Sequence, residues 1–74
     1  MKLLIETPAL EIREKLEKKR AIIEEDLEGV LLKEVININP SALGIRVIFR
    51  SANNVPEEIE FVNSDFRLLH LYID

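Results

Sequence analysis

A chain of 74 residues with no cysteine, a single histidine and a formal charge of −4 has room for one domain, 1–74. It excludes a disulfide framework and a thiolate zinc centre, and argues against a nucleic-acid surface built on clustered cations. Isoleucine, leucine and valine supply 26 of the 74 residues, more aliphatic surface than one core of this size readily hides, so composition points to a homo-oligomer, a dimer or higher. No apolar run reaches the eighteen or so residues that span a bilayer, and 1–5 is too short for a secretory leader. The expectation is a cytoplasmic protein without membrane contact.

In chain order, Lys2 to Glu6 reads as a short strand at the edge of a sheet, the alternative being a frayed terminus with a hydrophobic anchor. Residues 7–29 then read as one amphipathic helix. Thr7 is placed to cap it and Pro8 to occupy the first helical position, where its missing donor is not needed. Spacing at 100° puts Ala9, Ile12, Leu16, Ile23 and Leu27 on one stripe, with Glu11, Glu14, Lys15, Lys18 and Glu25 opposite. Gly29 supplies a left-handed stop. Three features resist this pattern. Arg20 falls inside the apolar stripe, Ile22 lies among the charges, and Glu24, Glu25, Asp26 and Glu28 crowd a last turn where the helix dipole disfavours negative charge.

Beyond Gly29, residues 30–39 are rich in β-branched side chains and end at Asn39-Pro40, predicting a strand followed by a hairpin connection over 41–44. Residues 45–50 alternate, with Ile45, Val47 and Phe49 on one face and Arg46, Ile48 and Arg50 on the other. The Asn-Asn pair marks a loop over 51–54. Pro56 to Val62 is read as a strand with Ile59 and Phe61 inward, the alternative being a short helix opened by Pro56. After a turn at 63–65, residues 66–73 form a last strand, or a helix capped by Ser64.

The predicted fold is α+β: one long amphipathic helix packed on an antiparallel meander of three to four strands, with a short N-terminal edge strand. A helical 56–62 would instead give a ferredoxin-like β-α-β-β-α-β order.

The residues carry little chemistry. Ser41, Ser51 and Ser64 fall in predicted turns, His70 is the only imidazole, and Gly29 and Gly44 are too few for a phosphate loop. No catalytic, cofactor or metal site is expected, and the chain is read as a non-enzyme. The constellation worth testing is the sheet face away from the helix. Alternation gathers Asn37, Arg46, Arg50, Glu58, Glu60, His70 and Tyr72 there, around Val35, Ile48 and Leu68. One reading is a solvated face with cross-strand ion pairs; the other is a protein interface formed by Asn37, Arg46, Ile48, Arg50, Leu68, His70 and Tyr72. Two functions follow. One is a self-associating adaptor, accessory subunit or inhibitor that binds another protein. The alternative is a nucleic-acid-associated factor that joins Arg46, Arg50 and Arg67 to the Lys18, Lys19, Arg20 run across an oligomer.

Overall fold

The computed structural model describes residues 1–6 and 10–73. It is mostly β. Strand β1 (Lys2–Glu6) leads to a helix, α1 (Leu10–Lys18), followed by β2 (Ile23–Asp26), β3 (Gly29–Leu32), β4 (Val35–Pro40), β5 (Gly44–Arg50), β6 (Pro56–Val62), a single 3-10 turn (Asn63–Asp65) and β7 (Leu68–Tyr72). The strands form two antiparallel sheets, ordered β2-β3-β1-β7 and β4-β5-β6.

The single long helix on a meander is therefore overturned, and so is the ferredoxin-like alternative, since 56–62 is a strand. The helix stops eleven residues before Gly29, because Arg20 takes a left-handed conformation at φ 55. Its N–H donates to the Glu17 carbonyl at 3.0 Å, and Ala21 N–H donates to the Leu16 carbonyl at 3.0 Å. That pair of bonds is a Schellman stop with arginine where glycine is usual. The Arg20 carbonyl then accepts from Ala52 N–H at 2.8 Å, tying the helix end to the β5–β6 turn. Gly29 has no positive φ and opens a strand, where a Cβ would run into the Ile5 carbonyl of the neighbouring β1. The expected cap and first helical residue, Thr7 and Pro8, lie outside the described residues.

An early stop removes all three misfits in the helical pattern. Arg20 lies beyond the helix, Ile22 precedes β2, and the acidic residues 24–26 belong to an edge strand, where they oppose no helix dipole. The N-terminal strand is also not at an edge, since β1 lies between β3 and β7. Its composition fits that place: Leu3, Leu4 and Ile5 are all buried, as both faces of an interior strand can be.

Segment 30–39, predicted as one strand, serves both sheets. It bends at Glu34, which has φ 57. Val35 N–H donates to the Met1 carbonyl at 2.8 Å, the Met1 nitrogen donates back to the Val35 carbonyl at 3.1 Å, and Arg50 N–H donates to the Glu34 carbonyl at 2.9 Å. The corner thus bonds to β1 on one side and to the end of β5 on the other.

Both inner faces meet one core. Leu3, Ile5, Val30 and Leu32 come from the four-stranded sheet, and Val35, Val47, Phe49, Ile59 and Phe61 from the three-stranded one. The helix adds Ile12 and Leu16. Its flanks are fastened by charge. Arg13 forms a two-pronged pair with Glu25 on β2, and Lys15 Nζ stands 3.9 Å from the carboxylate of Asp65 in the 3-10 turn.

Two stability outcomes follow. Leu16→Ala, at a fully buried site, destabilises by about 2–4 kcal/mol in urea melts, whereas Ile23→Ala, at a half-buried position on an otherwise exposed edge strand, loses about half as much. Glu14→Gly, inside the helix, loses about 1 kcal/mol, while Arg20→Gly is neutral or stabilising because glycine adopts the left-handed stop without strain. Equal losses at positions 14 and 20 would contradict the early stop.

Candidate functional site

The register of the four-stranded sheet sorts its side chains into rows. Across β2, β3, β1 and β7, the outward rows are Glu24, Leu31, Leu4, His70 and, one step along, Asp26, Gly29, Glu6, Leu68. At the other end Lys2 pairs with Tyr72. Lys33 N–H donates to the Ile22 carbonyl at 2.8 Å, which extends the same alternation and brings Lys33 beside Lys2.

This outer face has an apolar centre. Leu4 points away from the core cluster yet is only 4% exposed. Its row neighbours are Leu31 and His70, and its diagonal neighbours on β7 are Leu68 and Tyr72, all within reach across antiparallel strands. A shallow open depression of about 450 Å³ lies beside it, lined by Lys2, Asp26, Leu31, Tyr72 and Ile73.

Charges rim this centre. Lys33 Nζ lies 2.9 Å from the Glu24 carboxylate. The hydrogen bond and charge from Lys33 hold the Glu24 carboxyl below its ordinary value, with a smaller contribution from Lys2. The stabilisation from this contact is present above the ordinary carboxylate range and fades as the pH falls through the lowered value. His70 Nε2 stands 4.0 Å from Glu6 Oε2.

The structure divides the residues that alternation had grouped. Leu68, His70 and Tyr72 lie on the outer face of the four-stranded sheet. Asn37, Arg46 and Ile48 lie on that of the three-stranded sheet, in the rows Asn37, Ile48, Glu58 and Asn39, Arg46, Glu60. Because both inner faces meet the same core, the two outer faces point apart. Val35 is on neither; it is buried in the core. Arg46 Nε sits 3.7 Å from a carboxylate oxygen of Glu58 and 3.7 Å from one of Glu60, and an Arg50 guanidinium nitrogen donates to the Asn54 carbonyl at 3.2 Å. These cations are engaged locally, as on a solvated sheet face.

The sequence reading missed Leu4, Leu31, Lys2, Asp26 and Ile73. A signal for Leu4 was present: three consecutive leucine and isoleucine residues in a five-residue strand imply apolar contacts on both faces, hence an interior strand. The serines have local roles or none: Ser51 Oγ accepts from Val55 N–H at 3.3 Å, and Ser41 Oγ is buried without a hydrogen-bond partner. Among the described residues no three His, Asp or Glu side chains converge as metal ligands, and no helix is long and apolar enough to cross a membrane. No family model, curated protein or solved structure matches the chain.

β7 itself is the most distinctive part of this surface. It is an edge strand with apolar side chains exposed on both faces: Leu68 and Tyr72 outward, at 48% and 49%, and Leu71 inward, at 46%. Ile73, just beyond it, is 78% exposed.

Leu4→Ala separates a packed outer face from a solvated one. It destabilises by about 2–4 kcal/mol, as a core leucine does, while Arg46→Ala, exposed on the other sheet, changes stability by less than about 1 kcal/mol. Chemical denaturation of both variants reads the difference.

Proposed function

We propose that the protein is a non-enzymatic, self-associating module of the adaptor, accessory or inhibitor type, and that its contact surface is β7 with the adjoining outer face of the four-stranded sheet. The observation that carries this reading is the contrast among the four edge strands, which are β2, β7, β4 and β6. An unpaired edge invites another strand, and proteins commonly blunt it with charge, proline or a bulge. β2 carries Glu24, Glu25 and Asp26. β4 has a register shift between Val35 and Asn37 and ends in Pro40, and β6 begins with Pro56 and carries Glu57, Glu58 and Glu60. β7 reads Leu-Leu-His-Leu-Tyr, with none of these devices.

Exposed leucines around a tyrosine, rimmed by lysines and carboxylates, match the anatomy of a protein-binding patch. The aliphatic excess in the composition supports the same reading. The nucleic-acid alternative has weaker support, because Arg46 stands between two glutamates and Arg50 bonds within its own turn.

Comparing one substitution on each outer face by sedimentation equilibrium tests the proposal. Tyr72→Ser weakens association by about thirtyfold or more, corresponding to the roughly 2 kcal/mol of a buried aromatic anchor, while Ile48→Thr leaves it unchanged. Circular dichroism stays native for both. Equal effects, or an effect at position 48 alone, would move the contact surface to the three-stranded sheet.

A further inference from the structure

We infer that the partner at β7 is a second copy of this chain, and that two β7 strands pair antiparallel about a two-fold axis at His70, joining two four-stranded sheets into one of eight strands. This rests on the self-association reading and adds to it a partner, a polarity and a register. Three features of the strand carry it.

The first is overlap. His70 is the middle of the five residues Leu68–Tyr72, so an axis there pairs every position of the strand, and His70 faces its own copy. The second is what meets what. On the outer face Leu68 comes opposite the partner's Tyr72, and on the inner face Leu69 comes opposite the partner's Leu71. Each exposed apolar side chain of the strand thereby gains an apolar neighbour at about 5 Å, the spacing of directly opposed residues. The match is self-complementary, as a two-fold interface requires.

The third is charge. One end of the outer face is basic, with Lys2 beside Tyr72; the other is acidic, with Glu6 beside Leu68 and Asp26 further along the row. Antiparallel pairing about His70 sets the basic end of each copy alongside the acidic end of the other. Parallel pairing would set like against like. Lys2 and the partner's Glu6 would be three strand spacings apart, about 14 Å and beyond the Debye length of about 8 Å at physiological salt, so these charges bias polarity during encounter at low ionic strength and do not lock the contact.

The chain has no cysteine, so introduced thiols report the register without background. His70→Cys, Leu71→Cys and Tyr72→Cys are each oxidised in native buffer at micromolar concentration, and covalent dimer is followed on non-reducing gels. Sedimentation equilibrium of the unsubstituted chain runs in parallel. His70→Cys cross-links about tenfold faster than the other two, because only position 70 faces itself at disulfide distance. A mixture of Leu68→Cys and Tyr72→Cys forms the mixed dimer faster than either variant forms its own. If the unsubstituted chain self-associates but Leu71→Cys is fastest, or all three cross-link equally slowly, the two-fold register at His70 is overturned while self-association stands. If the unsubstituted chain stays monomeric up to hundreds of micromolar, both the register and the self-association reading fall.

Discussion

The bend at Glu34 is the constraint on which the rest of the fold depends. Leu32 and Val35 are three residues apart, so in a regular strand they would point to opposite faces. With Glu34 in the left-handed region, both turn toward the core, as extra residues do at bulges and at corners where a strand changes sheets. The reciprocal Met1–Val35 bonds and the Arg50–Glu34 bond satisfy the backbone on both sides of the bend. A second irregularity follows at once, since the register shifts between Val35 and Asn37 and leaves Ile36 as the extra residue. The inward sequence therefore runs Val30, Leu32, Val35, Ile38, a spacing that simple alternation does not produce.

Burial dominates the energetics, and charge mainly sets position. Eleven side chains in one cluster, each contributing about 1–3 kcal/mol on transfer from water, outweigh exposed ion pairs that contribute under about 1 kcal/mol each. The pairs still have a geometric consequence. Arg13–Glu25 and Lys15–Asp65 grip the helix from two sides, so a nine-residue helix, too short to be stable alone in water, is held where Ile12 and Leu16 fill the core.

Much of the β structure was legible in the sequence. Strands β5, β6 and β7 follow from alternation, β-branched content and the turn residues between them, β1 follows from its short apolar run, and Asn54 adopts the positive φ expected of the Asn-Asn loop. The helix was overextended because Ile23 and Leu27 happen to fall at 100° spacing with Ile12 and Leu16. Leu27 is in fact fully exposed at the β2–β3 turn, and Ile23 packs from β2. Position alone could not show that arginine would take a glycine's place in the helix stop. The candidate surface was half legible: alternation placed Leu68, His70 and Tyr72 together, but a single-sheet reading could not separate them from Asn37, Arg46 and Ile48, and the two irregularities near Glu34 moved Val35 from outside to inside.

An edge protected on β2, β4 and β6 and open on β7 gives each molecule a valence of one. Strand addition at β7 would consume the only unguarded edge among the described strands, so growth would end after a single event and would not run on into a fibre. The same arithmetic makes occupants of β7 mutually exclusive. If the chain pairs with its own copy at β7, capturing another protein there requires releasing that copy first, so the concentration of the module itself would set the threshold at which such a partner binds.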